Sequence, residues 1–301
     1  MSVLAIAAAL LLEQWWPIGE RKDYFAALAR WANWLERSFN AGEARHGSTA
    51  WLVALLPVLA AALALHFMLL WANPLLALLF NIGVLYLTLG FRQFSRYFTD
   101  LQLAIRAGEL DRARELIGAW RGEPVQQHSR EEVIRLAIEE ALVASHRHLL
   151  GVLFWFMLLP GPSGAILYRL ALYLRRRWHG LGAFGEFADR VCRVLEWPAV
   201  RLTAVTFAVV GDFEDAVYCW RTQARSWSDP DAGVVLAAGA GAMGVRLGMP
   251  LTGIEGVEVR PELGLGENAD SAFLDSVEGL VWRALVVWVF VLVVMGLARA
   301  F

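Results

Sequence analysis

Residues 50–71 read AWLVALLPVLAAALALHFMLLW, and none of them is Asp, Glu, Lys or Arg. A helix needs roughly 20 mostly apolar residues to cross the hydrocarbon core of a bilayer. This run has that length and composition, so it predicts a membrane-spanning helix. The chain is therefore expected to be an integral membrane protein of the all-α class.

Three further apolar runs predict crossings around this helix. Residues 74–90 follow after a turn so short that the two helices should form a hairpin, with Pro74 in the first turn, where proline is tolerated. Residues 280–298 contain the uncharged run ALVVWVFVLVVMGLA. Residues 2–16 have no positively charged leader, which favours a first crossing over a cleaved signal. The core is thus predicted to have four crossings.

The overall composition agrees with a membrane location. Hydrophobic residues make up 58% of the 301 residues and charged residues 19%, with a mean hydropathy of +0.48. The lipid bilayer is therefore the expected partner, and a net charge of -2 without a basic patch argues against nucleic-acid binding. Cys192 and Cys219 match no metal-ligand spacing and are expected to be packing residues in a reducing compartment.

Residues 149–174 are apolar but interrupted at residues 160–164 by PGPSG. Each half is too short to cross alone, and irregular backbone at membrane depth is tolerated only where protein or a polar cavity covers it. A broken, re-entrant hairpin beside an internal site is one interpretation, and one long kinked crossing is the other. The positive-inside rule favours the hairpin, because it returns the arginines at 175–177 to the side of the charged segment 91–148.

The charged segment 91–148 is predicted to be a cytoplasmic helical insert rather than a second globular domain. Residues 108–120 have the apolar spacing of an amphipathic surface helix. Ser129 and Glu132 have the spacing of a capping box at the start of the next helix.

Residues 198–211 are too short to cross and predict a second broken or partly buried helix. Residues 212–279 are expected to be a loop, with a short strand or extended arm within residues 251–271. Chain 1–301 as a whole is expected to form a single integral membrane domain.

Residues 229–248 of this expected loop read DPDAGVVLAAGAGAMGVRLG. The stretch resembles, without a gap, the SPNAGWPxAAMAGALGVRLGG segment of the CobD/CbiB family of membrane proteins. The resemblance implies an inner-membrane enzyme of cobalamin synthesis, which joins an amine-bearing aminopropanol phosphate to a corrinoid carboxylate with nucleotide hydrolysis. The glycines of GAGAMG do not form a phosphate-binding P-loop, since no GK[ST] follows, and close helix packing explains them.

A second group, the AmpE membrane proteins associated with control of β-lactamase expression, is similar over more of the chain. The similar stretches include the opening LLLEQWW, the helix GELDRAREL and the single terminal span. This resemblance implies a non-catalytic signalling or accessory protein, linked to β-lactamase regulation or cell-wall sensing. The function therefore has two hypotheses, a cobalamin synthase and an AmpE-like regulator.

Acidic residues of the synthase pattern are replaced at two places. The synthase motif ENxxDG corresponds to VASHRH, in which Arg147 stands in place of the aspartate. The segment RVCRVLEWPAVRL keeps Arg190 and Arg201 but has Cys192 and Arg193 where the family has two aspartates. Because Mg²⁺ prefers oxygen ligands and usually one or two carboxylates, the expected metal site is lost. No metal is predicted, and Mg²⁺ and ATP are expected only if the synthase chemistry is retained.

Eight charged residues are the candidates for ligand binding, whereas catalytic residues cannot be named. They are Glu13, Glu139, Arg169, Arg190, Arg201, Asp229, Asp231 and Arg246. An arginine within an apolar run is costly, so Arg201 could pair with Glu13 or Glu139. Arg169 could bind a phosphate or extend to the membrane interface, and Asp229 and Asp231 could bind an amine or only form a turn at Pro230. All of these candidates except Asp229 and Asp231 are expected to share one cavity if they form a common site. A corrinoid or a phosphate-bearing small molecule is then the expected ligand, and a homo-oligomer is left open.

The expected architecture is a polytopic helix bundle with broken or re-entrant helices and cytoplasmic amphipathic helices. The expected location is a bacterial-type inner membrane, crossed several times, with most charged loops on the cytoplasmic side.

Overall fold

The computed structural model describes residues 2–15, 22–39, 44–123, 125–253 and 256–298. Position 16, the end of the first predicted crossing, lies outside these ranges. The described secondary structure is predominantly helical, which confirms the all-α class. Contacts divide the chain into two units: unit 1 comprises Met1–Leu89 and Gly151–Pro198, and unit 2 comprises Gly90–Leu150 and Ala199–Phe301.

The helices follow one another along the chain. They are α1 (Ser2–Trp15), α2 (Lys22–Phe39), α3 (Ala44–Ala72), α4 (Pro74–Thr88), α5 (Phe91–Ala107), α6 (Leu110–Arg121), α7 (Arg130–Ser145), a π-helical turn (His146–Leu150), α8 (Gly151–Leu158), α9 (Ser163–Trp178), α10 (Ala183–Val210), α11 (Phe213–Gln223), a 3₁₀ turn (Ala224–Ser226), α12 (Pro230–Met243) and α13 (Phe273–Ala298).

Three of the described helices are long and apolar enough to cross a membrane: Arg45–Ala72, Arg130–Leu158 and Phe273–Val294. The first and third coincide with predicted crossings. The second, in which α7 continues through the π-helical turn into α8, is not among the predicted crossings. α1 and α4 are apolar but shorter. The chain is accordingly a membrane protein, and the individual crossings stay predictions.

Unit 1 is a bundle in which α4 packs against α1, α3 and α9. Asn73 caps α4 by accepting a hydrogen bond from the Leu75 backbone N at 2.8 Å, and Pro74 takes the first helical turn. The short turn between α3 and α4 therefore forms as the sequence predicts.

The PGPSG residues form the turn between α8 and α9, which pack against each other. Gly161 has a φ of +60°, and a Cβ at Gly164 would lie 1.8 Å from the Trp155 carbonyl oxygen. Glycine is therefore required at both positions. The two halves form separate helices, although the first continues α7; re-entry of this hairpin into the membrane stays a prediction.

Pro198 lies inside the 28-residue helix α10. The partly buried helix predicted over 198–211 is therefore present up to Val210, but it is the second half of the longer helix α10. A proline removes one backbone donor and favours a kink, but it does not end a helix that packing supports.

Unit 2 corrects the prediction of a loop over 212–279, because α11 and α12 occupy much of it and pack tightly together. Small residues permit this packing, because a Cβ at Gly241 would lie 2.5 Å from the Asp215 carbonyl oxygen of α11. α12 also contacts α7, where a Cβ at Gly239 would lie 2.8 Å from the Leu142 side chain. The interpretation of GAGAMG as a helix-packing pattern fits this geometry.

Short strands connect α12 to α13. They are β1 (Val245–Gly248), β2 (Leu251–Gly253), β3 (Gly256–Glu258), β4 (Glu262–Leu263) and β5 (Glu267–Asn268). β1 pairs antiparallel with β4 and parallel with β5, and β2 pairs antiparallel with β3. The predicted strand or arm is therefore present as a small hairpin; Ile254, one of its apolar residues, lies outside the described ranges.

Candidate functional site

Segment 229–248 begins with Asp229, the N-cap of α12. Oδ1 of Asp229 accepts a hydrogen bond from the backbone N of Asp231 at 3.2 Å. Oδ2 accepts one from Nη2 of Arg147 at 2.9 Å. The side chain of Asp229 is 25% exposed and that of Arg147 is 30% exposed. We refer to them as the Asp229–Arg147 pair.

At its other end α12 stops at Gly244, whose φ of +67° suits glycine, and the chain enters β1. The Arg246 side chain leaves β1 toward solvent. Its Nη2 donates a hydrogen bond to Oδ1 of Asn268 at 2.7 Å, and its Nη1 lies 3.6 Å from Oε1 of Glu262. Both partners are exposed in the structure.

Gly248, the last residue of the segment, is held by charged side chains on both sides of its peptide group. Its N–H donates to Oε1 of Glu139 at 2.8 Å. Its carbonyl oxygen accepts from Arg135 at 3.2 Å and from Arg260 at 3.1 Å. Arg260 also donates to Oε1 of Glu139 at 2.6 Å. We call Arg135, Glu139 and Arg260, together with Gly248, the Gly248 cluster.

The Gly248 cluster is shielded from water. The Glu139 and Arg260 side chains are 3% and 9% exposed, and the Arg260 guanidinium lies 4.9 Å from the centroid of the Trp227 ring. Buried charges are tolerated when they are paired and hydrogen-bonded. A Cβ at Gly248 would lie 2.0 Å from the Pro261 carbonyl oxygen, so the close approach requires glycine.

Helix α7 supplies most of the charged groups near Gly248, at the C-terminal end of segment 229–248. Glu132, Arg135 and Glu139 follow at helical spacing on an otherwise largely buried helix. Glu132 accepts from the Thr252 N–H at 2.7 Å and from the Ser129 N–H at 2.5 Å, and the second contact is part of a capping box. The predicted capping box is confirmed, and the same carboxylate also fixes β2.

The CobD/Cbib protein family model matches residues 6–281. The chain belongs to the CobD/CbiB family. The matched range includes both ends of segment 229–248 and the α7 side chains that hold Gly248.

Named relatives extend the match to nearly the full chain. A Stutzerimonas stutzeri protein named "Cobalamin biosynthesis protein CobD" is 35% identical, covering 98% of this chain and 99% of the relative. A Chromobacterium violaceum protein of the same name is 35% identical, covering 71% of this chain and 70% of the relative. One from Mycobacterium tuberculosis is 37% identical over 36% of this chain and 33% of the relative. No solved structure gave a significant match. The AmpE alternative gains no support from these comparisons.

The magnesium ion that the family resemblance implies does not fit the residues at the start of α12. Arg147 replaces an acid of the family motif and contacts Asp229, whose two oxygens already accept hydrogen bonds. Within the described ranges, no group of three His, Cys, Asp or Glu side chains could hold a metal ion. Since Mg²⁺ is bound through oxygen ligands, no reaction step is derived through it.

The structure places the predicted site residues of unit 2 at separate contacts. Glu139 lies in the buried Gly248 cluster, Asp229 pairs with Arg147, and Arg246 contacts Asn268. Asp231 is buried in the first turn of α12. Arg201 is half-buried on α10. The sequence analysis left open that Asp229 and Asp231 only form a turn at Pro230. In the structure Pro230 is instead the first residue of α12.

The predicted site residues of unit 1 lie on three helices. Glu13 is buried on α1, Arg169 is half-buried on α9 and Arg190 is exposed on α10. That six of the candidates share one cavity stays a prediction; these six are Glu13, Glu139, Arg169, Arg190, Arg201 and Arg246.

A charged cluster in unit 1 was missed by the sequence analysis. Arg175 donates to Oε2 of the buried Glu196 at 2.8 Å and lies 3.3 Å from Asp189. The hydroxyl of Tyr168 donates to Oε1 of Glu196 at 3.5 Å. These residues join α9 to α10, so Arg175 has a packing role besides its place in the basic triplet.

In unit 2 the sequence analysis missed Glu132 as a ligand of β2, Arg135 and Arg260. The spacing of Glu132, Arg135 and Glu139 on an apolar helix is a signal that could have found the first two. Arg260 lies in an irregular segment, and nothing local in the sequence marks it.

The buried thiol of Cys219 on α11 is not a candidate nucleophile. Burial, followed in size by the nearby Asp215 carboxylate, raises its pKa to about 11. A thiol is reactive as the thiolate, so this side chain is inert at neutral pH. The result fits the expectation that Cys219 is a packing residue.

Proposed function

We propose that this chain acts in cobalamin biosynthesis, at the step that joins the amine of an aminopropanol phosphate to a corrinoid carboxylate. An amide bond would form between the amine nitrogen and the carboxyl carbon. One carboxyl oxygen would leave as part of the phosphate released from the nucleotide, and the amine would lose its surplus protons to solvent. The observation that carries the proposal is the family match, together with the position of segment 229–248. Its backbone is fixed at Gly248 while Arg246, two residues earlier, extends toward solvent.

Within segment 229–248, the basic candidate for ligand binding is the partly exposed Arg246. Its guanidinium can bind a phosphate or a corrinoid amide oxygen through planar, directional donors. Asn268 and Glu262 hold it in position while leaving the side chain 38% exposed. The Gly248 cluster would act indirectly, by fixing the strand from which Arg246 extends.

The proposed location is a bacterial inner membrane, crossed several times, with most charged segments on the cytoplasmic side. The arginines at 175–177 and the charged helices α5 and α6 support this orientation under the positive-inside rule. A cytoplasmic site would meet nucleotides and phosphorylated amines directly. A homo-oligomer is compatible with the proposal.

Complementation of a synthase-deficient strain tests the proposed step. The wild-type chain should restore growth under conditions that require late corrinoid assembly. Arg246→Ala and Arg201→Ala should fail at equal membrane abundance. Arg112→Ala is the matched control, because Arg112 forms an exposed ion pair with Glu109 on α6. If the wild-type chain is present in the membrane but gives no growth, the proposed step is wrong.

A further inference from the structure

The Asp229–Arg147 pair joins two elements that are distant in sequence. Arg147 lies in the π-helical turn after α7, and Asp229 caps α12, 82 residues later. The carboxylate uses one oxygen to cap the helix and the other to accept from the guanidinium. The pair therefore fixes the N-terminus of α12 to the π-helical turn.

The charges of the pair differ from those of the family pattern. The family motif ENxxDG has an acid at the position of Arg147, and SPNAG has a serine at the position of Asp229. The family combination carries one negative charge, whereas Arg147 and Asp229 together are formally neutral. In this chain the negative charge therefore lies at the cap of α12, on Asp229, and the π-helical turn carries the positive charge of Arg147.

With Arg147 in place of the acid, the π-helical turn no longer offers a carboxylate ligand for a divalent cation. A guanidinium offers five donors and no acceptor, so it cannot be a metal ligand. A bound cation would also have to displace Arg147 from an oxygen of Asp229 at 2.9 Å. The two groups already balance each other's charge without any ion.

We propose that the Asp229–Arg147 pair takes the place of a bound divalent cation, so that this chain holds the start of α12 without metal. The guanidinium supplies the positive charge that a cation would otherwise bring to the Asp229 carboxylate. The inference concerns the folded state, and it does not depend on the proposed reaction.

Thermal unfolding of the purified full-length chain in mild detergent tests the proposal. For the wild type, Tm should be the same in EDTA and in millimolar MgCl₂, after correction with NaCl of equal ionic strength. Arg147→Asp should lower Tm in EDTA, because two carboxylates would then face each other. Mg²⁺ should restore several degrees of Tm in this variant, since a ligand that binds only the folded state stabilises it.

Two further variants serve as controls. Arg147→Gln removes the positive charge without adding an acid, so its Tm should fall but should not respond to Mg²⁺. Arg147→Asp combined with Asp229→Ser removes the repulsion and should recover part of the lost Tm in EDTA. This recovery can be measured even if Arg147→Asp alone does not fold.

The outcomes separate clearly. A rise in the Tm of the wild type with Mg²⁺, beyond that with NaCl, would overturn the proposal, because the chain would then bind the ion despite the pair. An Arg147→Asp protein that folds but gains no response to Mg²⁺ would also overturn it. None of these results depends on whether the chain restores growth in the complementation experiment.

Discussion

Segment 229–248 is attached to its surroundings by charges at both ends, but the two ends differ in their access to water. At the Asp229 end, one ion pair lies in a partly exposed place. At the Gly248 end, the carboxylate of Glu139 and the guanidiniums of Arg135 and Arg260 surround the buried peptide group of Gly248. The difference shows that charges within one segment can lie in very different environments, so that losing a charge should cost more at the buried end than at the partly exposed one.

The energetic consequences of this difference follow from desolvation. Breaking a buried ion pair by removing one partner leaves a charge without compensation, whereas an exposed pair is replaced by water. Oε2 of Glu139 and Nε of Arg135 and Arg260 are buried and lack a hydrogen-bond partner within the described ranges. These atoms are already buried without hydrogen bonds, so removing a charged partner from the Gly248 cluster would add to an existing desolvation penalty.

Glu139→Ala should have the largest effect on stability. It leaves Arg260 and the Gly248 N–H without their acceptor, which should cost about 3–5 kcal/mol of the free energy of unfolding. Reversible denaturation in mild detergent measures this loss. Glu115→Ala, at an exposed position on α6, is the control and should change stability little. An equal, small effect at both positions would remove the distinction between the two ends of the segment.

Asp229→Ala should have an intermediate effect, because it removes both a helix cap and a partly exposed ion pair. Loss of the cap alone should cost about 1 kcal/mol. Asp212→Ala is a close control, since Asp212 caps α11 by accepting from the Asp215 N–H at 3.0 Å. The excess loss at Asp229 measures the ion pair and should be at most about 1 kcal/mol. A much larger excess would mean that this end is as rigid as the Gly248 end.

Arg246→Ala should affect function more than stability. Its contacts with Asn268 and Glu262 are exposed, so the free energy of unfolding should change by no more than about 0.5 kcal/mol. The same denaturation measurement tests this value, and the growth assay tests function. A loss of growth that is fully explained by a loss of folded protein would place Arg246 among the structural residues.

The sequence predicted the parts of this fold that depend on local pattern. The apolar run at 50–71 became most of α3, and PGPSG became the turn between α8 and α9. The capping residues Ser129 and Glu132 also formed the expected bonds. In each case the physical cause lies within a few neighbouring residues.

The sequence did not reveal α12, because a helix that is buried on every side has no amphipathic period. The region 212–279 was therefore predicted as a loop, although the glycines of GAGAMG indicated close helix packing. The contacts that define the candidate site join residues far apart in the chain: 82 positions separate Arg147 from Asp229, and 121 separate Glu139 from Arg260. Helical spacing indicated that α7 had charged positions, but it could not indicate what they would bind.

The smallest predicted effect concerns His128, at the start of the helix that carries the Gly248 cluster. Burial lowers the pKa of His128 below its ordinary value of 6.5; Glu132 and Glu258 oppose this shift, whereas Arg121 and Arg260 reinforce it. Because the folded-state pKa is the lower one, the unfolded chain binds the proton first as the pH falls. Stability from the neutral imidazole is therefore present above pH 6.5 and is lost as the pH falls through the folded-state pKa.

His128→Gln should remove this part of the pH dependence while the backbone carbonyl at position 128 continues to accept from Arg114. The measurement is Tm of both proteins across mildly acidic pH. The wild type should lose more Tm than the variant as the pH falls, whereas His179→Gln, at an exposed position, should follow the wild type. If His128→Gln shows the full acid dependence, the imidazole is not the group that titrates. The acid sensitivity would then belong to carboxylates such as Glu132, whose bonds to Ser129 and Thr252 require the ionised form.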